Sequence, residues 1–172
     1  MKKITAFGEI ALPVLSSEHN RVHAGEMYTA YLSDAILGAS ATLLMEIRIP
    51  DGIELHLKTI NFYTGSDGEL ELIEAPTIGI VGTTPLEPMN RNRNKQYKKA
   101  HVSIFSDPAT ISAGTLLEDM HVAGGAQTAG GERGTDLEWE LQEDTIYIVR
   151  LTNQSGQAQQ CDLRIEFYEE VD

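Results

Sequence analysis

Thr145-Ile146-Tyr147-Ile148-Val149-Arg150-Leu151, the polar turn Asn153-Gln154-Ser155-Gly156, and Cys161-Asp162-Leu163-Arg164-Ile165-Glu166-Phe167 decide the fold class of this chain. The first run is apolar on both faces, the mark of a central strand. The second alternates strictly between apolar and polar residues, the mark of a half-buried strand. A short polar turn between two such runs predicts an antiparallel pair. Just upstream, Leu137, Trp139 and Leu141 alternate with Glu138 and Glu140, and Trp139 is expected to plug the core beside the pair.

The same two-residue period extends towards the N-terminus. Leu43, Met45, Ile47 and Ile49 alternate with Leu44, Glu46 and Arg48; after Pro50-Asp51-Gly52, so do Ile53, Leu55 and Leu57 with Glu54, His56 and Lys58. Turn chemistry between the two runs predicts a hairpin. The phase slips before Ile60 and Phe62, which predicts a bulge near Lys58-Thr59. Leu70 and Leu72 mark a further strand, and Val102 and Ile104 a short one that Ser106-Asp107-Pro108 ends. Residues 27–37 fit a helical stripe (Tyr28, Leu32, Ala35, Ile36) and a strand equally well. Pro76, Pro85 and Pro88 make Ala75 to Asn94 a long excursion with little ladder pairing, and the glycines of Ala123 to Gly134 predict a mobile surface loop. Many short strands without a βαβ rhythm indicate an all-β fold, an antiparallel β-sandwich with long loops, for which a jelly roll is the preferred topology. Residues 1–25 are expected to form an N-terminal arm and residues 26–172 the sandwich domain.

A length of 172 residues suits one domain with a real core. A net charge of −13 argues against general binding to nucleic acid or anionic membranes. The single cysteine, Cys161, precludes an internal disulfide framework and reads as a small buried hydrophobe. Met1-Lys2-Lys3 is followed by no adequate apolar region, because Glu9 and Pro13 interrupt it, so no standard leader is expected. No window approaches the roughly 18 apolar residues of a membrane span.

The acidic chain carries one basic island, Met89-Asn90-Arg91-Asn92-Arg93-Asn94-Lys95-Gln96-Tyr97-Lys98-Lys99. Between Glu87 and His101 lie five Lys or Arg and one Glu, leaving eight basic and 25 acidic residues elsewhere. Such segregation provides one attractive face on a body that repels its own copies. The asparagines favour side-chain-to-backbone bonding, while the arginines offer planar forks to partner carboxylates or carbonyls. Asn90, Arg91, Asn92, Arg93, Asn94, Lys95, Tyr97, Lys98 and Lys99 are therefore the candidate partner-binding residues. With one aromatic in an acidic body, the island fits single-stranded nucleic acid less well.

The remaining patterns point away from catalysis. His19 and His23 have the spacing of two helical zinc ligands but no HExxH frame. His56 invites comparison with cupin-type metal centres, yet position 58, where a second histidine would stand, is Lys58. His101 and His121 are isolated in sequence. The glycine-rich loop lacks a phosphate-binding ending, and no GxSxG elbow occurs. Glu138, Glu140, Glu143 and Asp144 could supply an acid pair, but the alternation assigns Glu138 and Glu140 to a solvated face. No catalytic residue, metal or cofactor is assigned.

The order of several short segments resembles a class of small virion proteins of tailed bacteriophages. These are Phe62-Tyr63-Thr64-Gly65, Pro88-Met89-Asn90-Arg91-Asn92, Asp107-Pro108 with Thr110-Ile111-Ser112, and Gly124-Gly125 to Gly134. Leu137-Glu138-Trp139-Glu140-Leu141, Thr145-Ile146-Tyr147, Arg150-Leu151-Thr152-Asn153 and Phe167-Tyr168-Glu169 complete the set, which covers roughly residues 40 to 169. The resemblance connects the chain to jelly-roll capsid cement or decoration proteins. It implies a non-enzymatic structural protein on the virion (capsid exterior), assembled in the host cytoplasm. It would bind the major capsid protein at capsomer boundaries, as a homo-oligomer, without membrane or specific nucleic-acid contacts. The alternative is a carbohydrate-binding β-sandwich module of a virion fibre or receptor-binding element.

Overall fold

The computed structural model describes residues 17–122 and 138–171. Helix α1 (Ser17–Ala24) precedes β1 (Met27–Leu37), β2 (Thr42–Ile49), β3 (Ile53–Thr64) and β4 (Gly68–Glu74). The excursion that follows holds β5 (Thr77–Ile80), β6 (Thr84–Pro85), β7 (Met89–Asn90), a single 3-10 turn at Arg93–Lys95, β8 (Ser103–Ser106) and β9 (Ala109–Ser112). The chain closes with β10 (Thr115–Val122), β11 (Trp139–Leu141), β12 (Thr145–Asn153) and β13 (Gln159–Val171). The expected glycine-rich loop at 123–134 lies outside the described residues, as do residues 1–16 of the expected arm. Residues 17–24, also assigned to that arm, are helical.

The fold is an all-β antiparallel sandwich. One sheet has the order β11-β3-β13-β1-β7, the other β10-β4-β12-β2-β8-β6, and β5-β9 forms a separate two-stranded ribbon. Pairing is nested: β4 joins β10, β3 joins β11, β2 joins β12 and β1 joins β13, all antiparallel. The chain is thus folded double about its central excursion. Inward residues of both layers, among them Met45, Ile47, Leu55, Leu72, Val149, Leu163 and Phe167, are fully buried and form one core. Outside the six-stranded sheet, Gly82 donates from its backbone to the buried Glu46 (2.6 Å), and Arg48 bonds the same carboxylate (2.6 Å). This satisfies an acid that the β2 alternation left facing away from the core.

Two expected pairings are corrected. β2 and β3 do not form a hairpin, and β12 and β13 are not partners; in each case the turn carries the chain from one sheet to the other. Local turn chemistry is the same for a hairpin and for such a crossing, and the choice is made by distant strands that fill both edges. The bulge is where the phase slip predicts it: Glu166 faces Thr59 and Phe167 faces Leu57, leaving Lys58 unmatched. Residues 27–37 are a strand, fixed by β13 on one side and β7 on the other. β12 is central as expected. Trp139 instead sits half-buried on edge strand β11, opposite Leu57.

Among the described residues, three of the four sheet margins are blunt. The five-stranded sheet finishes in strands of three and two residues, and the six-stranded sheet finishes at β6 with Pro85.

Candidate partner-binding segment and the adjoining polar clusters

Asn90 is buried on β7, where its amide donates to the Gly25 carbonyl (2.8 Å) and its carbonyl oxygen accepts from the Asn92 amide (2.9 Å). Asn92 repeats the device, accepting from the Asn94 amide (3.1 Å) and opening the 3-10 turn. The asparagines therefore brace the strip internally, as their alternation suggests.

The cations divide into two groups. Arg91 bonds Glu18 (2.9 Å) and Glu166 (3.0 Å). Lys95 and Lys98 both donate to the carbonyl of Ala24 (3.1 and 2.9 Å), and Lys98 lies 3.9 Å from Glu26. They meet α1 at its C-terminus, where the helix carries partial negative charge. Gly25 ends the helix at φ +75°, with its amide on the Val22 carbonyl and that of Glu26 on the Arg21 carbonyl. The left-handed φ favours glycine there, and a Cβ would in addition meet the Lys95 side chain at 2.8 Å. Arg93, Asn94, Tyr97 and Lys99 face outward, with Tyr97 73% exposed and Arg93 bonded to Gln96 (3.2 Å). Half of the island therefore fastens α1 to the sandwich, and the other half is presented to solvent.

Next to this strip, a cleft of about 580 Å³ opens between Arg21, Tyr28, Lys98, His101 and Glu169. Its buried acid, Glu169, accepts from the amides of His101 and Val102 (2.9 Å each) and lies 2.9 Å from the His101 ring. Those bonds anchor the loop that returns from the basic strip. Burial, then the charges of Glu169 and Glu26, raise the Tyr28 hydroxyl above its ordinary pKa.

A second polar group lies on the outer face of β3. His56 stacks on Tyr168 (4.3 Å between centroids), and its Nδ1 is 3.0 Å from Glu138. Arg21 lies 3.6 Å over the Tyr168 ring and pairs with Glu170. Burial works to raise the Glu138 carboxyl, but hydrogen bonds from Lys58 and Tyr168, with the charges of Lys58 and His56, hold it below its ordinary range. Tyr168 is pushed up to about 12, mainly by burial and then by Glu138.

Sequence spacing missed these associations. His101 and His121 are not isolated: the first meets Glu169, and the second lies 3.4 Å from both Glu69 and Asp119. Glu138 is not a simply solvated acid, since it bridges His56 and Lys58. Donor atoms of Glu54, His56 and Glu170 lie within 4.8 Å of one another, as do those of Glu69, Asp119 and His121. Strand register makes each group, and the visible signals were Glu54 with His56 and Asp119 with His121, each pair two residues apart along one strand. His19 and His23 do meet, edge to face at 4.4 Å, on exposed positions of α1.

Comparison with known proteins returns no matching family model, no matching curated protein and no matching solved structure.

Proposed function

We propose that this chain is a non-enzymatic cement or decoration protein that reinforces a phage head shell by docking across capsomer boundaries. The nested strand pairing supports reading the sandwich as a jelly roll, with the excursion inserted between its fourth and fifth core strands, β4 and β10. The observation that carries the proposal is the β5–β9 ribbon. It belongs to neither sheet, and a two-stranded ribbon is marginal in water by itself. Ile80 is 59% exposed and Val81, just beyond it, 49% exposed. Backbone strain gathers around it, since Ala75, Asp107, Thr110 and Ala113 all take positive φ. Strained segments with uncovered apolar side chains mark sites of contact. The ribbon supplies apolar area for the major capsid protein, and Arg93, Tyr97 and Lys99 supply charge and one ring. Repetition over many equivalent sites turns a modest contact into a strong one.

The test is binding to purified shells. Ile80→Ser with Val81→Ser is expected to weaken binding at least about tenfold, the order of one or two lost apolar contacts. Arg93→Ser with Lys99→Ser is expected to weaken it at low salt and to have little effect at high salt. Unchanged binding in the first variant removes the ribbon from the interface.

A further inference from the structure

We infer that Glu54, His56 and Glu170 bind a zinc-class divalent cation on the outer face of the five-stranded sheet. Residues two apart on a strand share a face, which aligns Glu54 with His56, and the β3–β13 register sets Glu170 opposite Glu54. One donor atom from each lies within 4.8 Å of the others, and His56 Nε2 is 3.9 Å from Glu54. Ligands around tetrahedral zinc stand about 3.3 Å apart. Small rotations of the two glutamates close that difference.

The histidine points to a cation. Its Nδ1 is 3.0 Å from Glu138, which also accepts from Lys58 (2.6 Å). An ionised carboxylate only accepts, so a proton sits on Nδ1, and in the singly protonated ring Nε2 presents its lone pair. That Nε2 is buried and has no hydrogen-bond partner. It faces two carboxylates, which offer it no proton when ionised. A buried lone pair set against two anions is costly unless positive charge lies between them.

Glu138 then takes the place of the outer carboxylate in a carboxylate–histidine–metal arrangement, which fixes the tautomer and orients the ring. Stacking on Tyr168 holds the same orientation. Arg21 occupies one oxygen of Glu170, and a carboxylate has two. One imidazole and two carboxylates suit Zn²⁺ or Mn²⁺, whereas Mg²⁺ prefers six oxygens and keeps its waters.

The rival occupant of the gap is a proton on Nε2, and two measurements separate them. Calorimetric titration of the full chain with Zn²⁺ is expected to show a site that Mg²⁺ fills far more weakly. Glu138→Gln, which leaves all three ligands in place, is expected to weaken Zn²⁺ about 10- to 100-fold, and His56→Gln by more. His121→Gln and His23→Gln are expected to leave that site unchanged. In the unaltered protein, long-range imidazole ¹H–¹⁵N spectra are expected to show Zn²⁺ shifting Nε2 of His56 while Nδ1 keeps its proton. Zn²⁺ affinity unchanged in His56→Gln, or a His56 Nε2 that stays protonated throughout the titration, overturns the assignment.

Discussion

Cys161 and Asn153 show how much a single side chain contributes inside this sandwich. Cys161 has no exposed surface, and burial, reinforced by Asp162 and Asp34, pushes its thiol up to about 11. Reactivity follows the thiolate, so the folded protein at pH 8 should resist thiol reagents that label it readily in denaturant. Burial also pushes Tyr147 up to about 12. Both groups hold their protons more tightly when folded, so the unfolded chain releases protons first as pH rises. The contribution of these two groups to stability should therefore be level below about pH 8.5 and fall progressively above about pH 9. Urea midpoints measured across that range check the sign, and Cys161→Ala should soften the earlier part of the fall. Asn153, fully buried, donates to the carbonyls of Leu37, Gly38 and Gln157 (2.9 Å each) and accepts from the Ser155 amide (2.9 Å). Asn153→Ala should cost about 2–4 kcal/mol, because several buried backbone groups lose their partner at once. The buried role of Cys161 was legible in the alternation around it; that of Asn153 was not, since a turn asparagine and a buried one look alike in sequence.

Elements carry a different lesson, because each strand was visible and its partner was not. Alternation located β2, β3, β12 and β13, yet the Pro50-Asp51-Gly52 turn and the 153–156 turn both cross between sheets. The basic island shows the same limit. Its asparagine bracing was readable from spacing, but its service to α1 depended on a helix that the opening residues did not announce. Replacing Lys95 and Lys98 together by Ala should fray α1, seen as faster amide exchange over residues 21–26, with the sandwich little changed. The return from the excursion depends on Gly114, at φ +92°, where a Cβ would come 2.8 Å from the Glu74 carbonyl oxygen. Gly114→Ala should destabilise the protein by about 3 kcal/mol in urea titration, since that neighbour is backbone and cannot swing aside.

At the scale of the whole molecule, pairing between the two halves of the chain makes nearly every ladder long-range. β1 finds β13 across more than a hundred residues, as in Met27 opposite Tyr168. Such a topology should fold slowly for its size, in milliseconds to seconds by stopped-flow refolding, because distant segments must meet before contacts repay the lost chain entropy. β13 lies between β3 and β1, so truncation after residue 158 should abolish the cooperative transition and leave no separately stable half. The blunt sheet ends bear on assembly. Among the described residues β10 is the longest margin, and it carries Glu118 and Asp119. Among the described residues, a neighbour seeking to extend this protein by adding a strand would find only the eight-residue β10 long enough to pair with, and its acids repel another acidic copy. Copies crowded at high concentration should accordingly resist fibre-like stacking, and recognition is left to projecting side chains, which a partner can tell apart.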